Sequence, residues 1–233
     1  PRFKLIVEYD GTRFHGWQHQ QDGTSVQEAV ERAITAFSGE IRRIIAAGRT
    51  DTGVHATHQV VHVDLEREWS VRTIADAMNA HLKGNGVAIL DARRVTDTFD
   101  ARISAVKRHY LYRIINRRAF AVLDAGRAWQ VKWPIDEKRM QAGADRLIGK
   151  HDFTTFRASE CQAKSPLRTL ERLAISRRGD EVRIEASARS FLPALPLSRS
   201  ALFGSSAHTA FCSASTTSGS TLNACAKRAA LAC

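Results

Sequence analysis

Cysteine is scarce in this chain and badly spaced for metal. The four cysteines, Cys161, Cys212, Cys225 and Cys233, show no paired metal-ligand spacing. A chain of 233 residues buries enough core to need no disulfide framework. Long apolar runs are missing too. None approaches the ~20 residues that cross a bilayer, and the first residues lack a signal-peptide layout. The expectation is a cytoplasmic protein. Gly149-Lys150 lacks the preceding glycine loop and the following hydroxyl of a phosphate loop, and the glycines at 48 and 53 lack dinucleotide spacing. Nothing suggests a nucleotide cofactor. Acidic residues are absent from residues 193–233.

What is abundant is positive charge. The apolar fraction of 43% and charged fraction of 25% are ordinary, but the formal net charge is +11 and the pI about 10.1. An excess of this size points to a polyanionic partner, nucleic acid before membrane. Only Arg199, Lys227 and Arg228 of the 35 basic residues lie after Pro193, so the excess belongs to the part before it. Residues 193–233 are dominated by Ser, Ala and Thr and show no sustained period. Too few large apolar side chains remain there to offset the entropy of ordering, so an irregular tail is expected.

Before the tail, helical and strand periods alternate. Phe3, Leu5, Val7 and Tyr9 mark a first strand, mostly apolar on both faces. Ser25 and Glu28 form a capping box ahead of Val26, Ala29, Val30, Ala33, Ile34 and Phe37, and Gly39 ends that helix. Strands are expected over residues 41–47 and 59–65. Ser70 caps a second helix bearing Ile74, Ala75, Met78 and Leu82, followed by a strand over 87–95. Tyr110, Tyr112 and Ile114 share one side of another strand. A third helix runs over about 136–148, stopped by Gly149, and residues 151–157 read as irregular. A hairpin closes the ordered part, 167–176 and 181–190 about a turn at Gly179-Asp180. This mixture implies an α+β fold rather than a doubly wound parallel sheet.

The chain is organised around Gly48-Arg49-Thr50-Asp51-Thr52-Gly53-Val54-His55, a polar loop between two strands. Loops held by strands concentrate binding and catalytic side chains, although the same residue types also make plain turns. In an extended segment Arg49 and Asp51 share a face, so the guanidinium is expected to hold the carboxylate ionised. His55, His58 and His62 invite a metal reading, but a strand sends His55 and His58 to opposite faces. No metal site is expected. Arg102, Lys107 and Arg108 precede Tyr110, and Arg157 follows Phe153 and Phe156. Cations beside flat rings suit single-stranded RNA, while Tyr110 suits a core strand equally well.

Several of these stretches together resemble the tRNA pseudouridine synthase A family. They are the loop at 48–55, Tyr9-Asp10-Gly11-Thr12 with Gly16-Trp17-Gln18, and Phe99-Asp100-Ala101-Arg102 with Arg108-His109-Tyr110. Gly149-Lys150-His151-Asp152-Phe153, and Phe156-Arg157-Ala158 with Gln162-Ala163-Lys164-Ser165-Pro166, complete the set in family order. The resemblance implies the pseudouridine synthase fold, two α+β halves with mixed or antiparallel sheets joined across a basic RNA-binding cleft. It implies isomerisation of uridine to pseudouridine at positions 38, 39 and 40 of the tRNA anticodon stem-loop, by a homodimer without cofactor or metal. Asp51 falls at the catalytic nucleophile, Arg49 at the residue linked to base flipping, and Tyr110 at the tyrosine that stacks on the target base. Arg102, Lys107, Arg108, Lys150, Arg157 and Lys164 are the candidate RNA-binding cations.

The resemblance covers residues 3–192. The expected organisation is an N-terminal half over 1–100, an incomplete C-terminal half over 101–192 and an atypical tail over 193–233. After Phe191-Leu192 the family pattern stops, and Leu197 stands where the family has an arginine that pairs with the aspartate. Pro193 and Pro196 interrupt what should be a strand running into a helix. Motif, composition and periodicity fail together there, as they would after a shift of reading frame. The alternative to an active synthase is therefore a tRNA-binding protein with impaired chemistry, or an inactive frameshifted product.

Overall fold

Alternation of side chains makes β1, Arg2–Tyr9: Phe3, Leu5, Val7 and Tyr9 are buried, while Glu8 is exposed. Its other face, with Arg2, Lys4 and Ile6, is half-buried and mixed, not the apolar face expected. The computed structural model describes residues 1–20, 23–156, 165–191 and the backbone of 210–213. The chain divides into two units, one built on Pro1–Val106 and the other beginning at Lys107.

In the first unit, α1 (Val26–Ser38) begins where Ser25 Oγ accepts the Glu28 N–H at 3.1 Å. It ends at Gly39, whose φ of +74° closes the C-terminus. The short β2 (Ile45–Ala46) is all that forms of the strand expected over 41–47. Upstream, the Ile44 N–H is taken by Glu31 Oε1 and Glu40 binds Arg42 and the Glu66 N–H, so side chains replace ladder partners. β3 (His55–Asp64) starts four residues before the expected strand, because Ala56 still pairs with Tyr9 at the end of β1. α2 (Val71–Leu82) is capped by Ser70, and β4 (Val87–Val95) follows the Gly84-Asn85-Gly86 turn. β1 runs antiparallel between β3 and β4, with β2 added to β3. Phe3 faces Val63 and Leu5 faces Val61 across β1 and β3, while α1 packs on α2 and α2 on β4. Val30, Ile34, Ile74 and Met78 are fully buried between these layers, each worth ~1.5–3 kcal/mol over an exposed position.

The second unit starts with β5 (Arg108–Asn116), which buries Tyr110, Tyr112 and Ile114 as the alternation implies. β6 (Trp129–Val131) pairs parallel to β5 and is too short to show a period. α3 spans Glu137–Asp145, shorter than expected, with Asp136 as its N-cap. Its end tightens into short turns at Leu147 and Ile148, and Gly149 begins β7 (Gly149–Asp152) instead of stopping the helix. Residues 151 and 152, expected to be irregular, therefore lie in a strand, followed by a 3-10 turn at Thr154–Phe156. β8 (Leu167–Arg178) and β9 (Glu181–Ala188) form the expected hairpin about Gly179. The antiparallel order is β5, β9, β8, β7. Met140 and Ala144 of α3 are buried, and Gln141 bonds the backbone of Leu173 and Ile175 on β8. In the tail, one short strand, β10 (Ala210–Ser213), departs from the expected irregularity.

Candidate active site

The Asp51 loop is braced from several directions. Gln59, fully buried on β3, donates from Nε2 to the Gly48 carbonyl at 2.7 Å. Thr50 is buried too, its hydroxyl 2.7 Å from Tyr9 Oη and its carbonyl accepting the Trp17 N–H at 2.9 Å. The Val54 N–H returns to the Asp51 carbonyl at 3.1 Å, and Gly53 takes φ +78° to close that turn. Gly11 lies so close beneath that an added Cβ would sit 2.1 Å from the Val54 carbonyl oxygen. Its N–H donates to His55 Nδ1 at 3.1 Å, and Asp10 Oδ1 lies 3.1 Å from the same nitrogen. The Trp17 segment is in turn anchored to the start of α1, where the Val26 and Gln27 N–H groups bond the Gly16 and Trp17 carbonyls.

On this frame the Asp51 residue is open to solvent, yet protein crowds its carboxyl. Lost hydration pushes its pKa above the ordinary aspartate value. Among the described residues no hydrogen bond or ion pair reaches that carboxylate. The expectation that Arg49 holds it is thus corrected: Arg49 is exposed at the loop surface and makes no ion pair with Asp51. Bonds from remote residues, not local spacing, shape the loop: Gln59 holds Gly48, Tyr9 and Trp17 hold Thr50, and a bonded turn begins at Asp51.

The other candidates divide by element. Arg102 is exposed on the segment after β4. Tyr110 on β5 is 2% exposed, with Phe191 edge-on at 4.9 Å between ring centres. Arg108 is buried and bonds the Arg189 carbonyl, and Lys107 pairs with Glu171 at 2.5 Å, so both are engaged within their own unit. Lys150 is exposed on β7. Arg157, Lys164 and Leu197 lie outside the described residues. Of the three histidines, His55 and His62 are buried and accept backbone N–H groups, while His58 is exposed. Among the described residues no group of three His, Cys, Asp or Glu could hold a metal ion.

Of the residues that brace the loop, His55 enters the sequence reading only as a metal candidate and Tyr9 and Thr50 only as members of motifs, while Gln59 has no role assigned there. Gln59 was the legible signal: a polar side chain inside an apolar strand has to satisfy something buried.

A partly desolvated carboxylate on a braced loop, in an α+β protein with a large positive excess, is the kind of group that enzymes use for nucleophilic or proton-transfer chemistry. Residues 5–102 and 144–194 match the family described as tRNA pseudouridine synthase. A tRNA pseudouridine synthase A of Mesorhizobium japonicum is 58% identical over 194 residues, covering 82% of this chain and 78% of that protein. Those of Xanthobacter autotrophicus and Methylorubrum extorquens are 57% and 55% identical, with the same shares covered. The chain belongs to the tRNA pseudouridine synthase family.

Proposed function

We propose that this chain isomerises uridine to pseudouridine at positions 38, 39 and 40 of tRNA, with Asp51 as nucleophile. It is an isomerase that acts on tRNA. The N1–C1′ glycosidic bond breaks, a C5–C1′ bond forms, C5 loses its proton and N1 gains one. Atoms and electrons balance within the nucleotide, so the reaction needs no redox partner. The observation that carries the role of Asp51 is its geometry: a carboxylate crowded by protein and unpaired among the described residues, on a loop whose backbone is held by Tyr9 and Gln59 through Thr50 and Gly48.

A uridine stacked in the anticodon stem-loop must leave its stack to reach such a carboxylate. Arg49, exposed and two residues away, is the cation that fills the space the base vacates. Tyr110 stacks on the extruded base, which requires the edge contact with Phe191 to open. Arg102 and Lys150, both exposed, are the phosphate contacts we assign first, with Lys107, Arg108, Arg157 and Lys164 behind them. The working form is a homodimer in the cytoplasm. Exposed Phe120, Val122, Leu123 and Trp133 in the second unit support a partner copy that covers apolar surface. Among the described residues no helix is long and apolar enough to cross a membrane.

Tritium release from tRNA carrying 5-tritiated uridine tests the reading, with Asp51→Ala as control. Release that vanishes in the variant is the expected result. A folded, tRNA-binding chain that releases nothing would instead be the binding protein with impaired chemistry.

A further inference from the structure

β3 carries a second buried histidine that the Asp51 loop does not use. His62 is 2% exposed, and the Ala101 backbone N–H donates to its Nδ1 at 3.0 Å. The Phe99 ring stands edge-on to the imidazole, 6.0 Å between centres. Arg2, on the neighbouring strand, grips the same segment from the side. Its guanidinium bonds both Asp64 carboxylate oxygens and the carbonyls of Asp97 and Phe99, each at 2.7 Å. Asp100 Oδ1 then accepts the Arg102 and Ile103 N–H groups at 2.8 Å, which closes a tight turn. A segment without regular secondary structure is thus fixed at two carbonyls and one amide, and Arg102 is the exposed cation it presents.

We propose that His62 and Arg2 are positioning residues for tRNA binding, which fix the turn that presents Arg102 to the RNA backbone, and that His62 does so only as a neutral imidazole. The inference rests on the tRNA reading above. An Nδ1 that accepts an N–H needs its lone pair, so the ring proton sits on Nε2. Protonation would set N–H against N–H at Ala101 and release the turn. The charged groups around His62 are Arg2 on β1, Asp64 on β3 and Asp100 in the turn itself. Lys4 lies opposite His62 in the ladder, and Arg93 opposite Lys4, on the same sheet face. Burial first, and then Arg2, hold the imidazole below the ordinary histidine value, against Asp100 and Asp64. The grip therefore persists across neutral pH and fails in acid.

The test measures binding of an anticodon stem-loop RNA against salt and pH, together with amide exchange at Ala101. The full chain is compared with Arg102→Ala, His62→Ala, the double variant and His62→Asn. Losing one phosphate contact makes the slope of log K against log salt shallower by about one. Arg102→Ala and His62→Ala should each show that change, the double variant should show no more, and His62→Ala should speed exchange at Ala101. In His62→Asn the amide oxygen replaces Nδ1 as acceptor without titrating, so neutral binding survives and the acid loss disappears. Wild-type binding in His62→Ala, or a loss additive with Arg102→Ala, overturns the proposal. If His62→Ala does not fold, His62→Asn decides: an unchanged acid limb overturns it. Failure of the unaltered chain to bind the RNA overturns the tRNA reading itself, and the role of Arg102 with it.

Discussion

Tyr9 Oη and Thr50 Oγ1 meet at 2.7 Å in the interior, so the last residue of β1 is tied to the residue before Asp51. Tyr9→Phe keeps the ring, which tilts against Trp17 at 5.7 Å, and removes the hydroxyl that meets Thr50. A buried hydroxyl on Thr50 is then left without its partner, at a cost of about 1–3 kcal/mol. The expected result is a lower urea midpoint and slower single-turnover chemistry, with tRNA affinity little changed. Equilibrium unfolding and a rapid-quench tritium assay on the same preparation check both.

Two glycines beneath the loop should be far less replaceable than the glycine within it. A Cβ on Gly11 would meet the Val54 carbonyl oxygen at 2.1 Å, and one on Gly16 would meet the Thr50 carbonyl oxygen at 2.7 Å with φ already at +92°. Gly53 also has positive φ, but a Cβ there meets nothing within 4 Å. Gly53→Ala should therefore cost only the left-handed penalty, about 1–2 kcal/mol. Gly11→Ala has to move backbone under the loop and should lose both stability and turnover. Thermal melts of the three alanine variants would rank them Gly53, then Gly16, then Gly11 in increasing damage.

The contrast between these sites shows what the sequence made legible. Residues with a strong period or cap were readable: Ser25 and Gly39 around α1, and the alternation through Tyr110, Tyr112 and Ile114. The edge strand β7 was not. It is four residues long, with Lys150 and Asp152 exposed and Gly149 and His151 half-buried, which leaves no apolar alternation to detect. The polar Asp51 loop between two strands was readable, and the structure places it after β2 and before β3. The separation of Asp51 from Arg49 was not, because the loop is held by Tyr9, Gln59 and Trp17, all remote in sequence.

Asp51 sets two opposite pH effects. Burial raises its folded-state pKa above the ordinary aspartate value, so the folded chain holds this proton more tightly than the unfolded one. Stability from this group is present below the unfolded value and is lost as pH rises through the folded value. Asp51→Asn should accordingly melt higher than the unaltered chain at neutral pH, with the gain vanishing in acid, while tritium release disappears. A nucleophilic carboxylate must be ionised, so the acid limb of kcat/KM should be displaced upward from the ordinary aspartate value. A pH–rate profile beside melts at two pH values tests both halves of this trade.

Tyr112 offers the reverse case, a polar group that the fold tolerates without using. Its side chain is fully buried on β5, and its hydroxyl has no hydrogen-bond partner among the described residues. Burial pushes the phenol pKa up, so it stays protonated throughout the working range. The ring itself packs edge-on toward Trp129 at 6.4 Å, a contact that phenylalanine keeps. Removing a buried hydroxyl that makes no bond relieves its desolvation cost. Tyr112→Phe should raise stability by about 1 kcal/mol and leave tRNA turnover unchanged. A calorimetric midpoint that falls in this variant would mean the hydroxyl is bonded in solution, and that β5 depends on more than its apolar alternation.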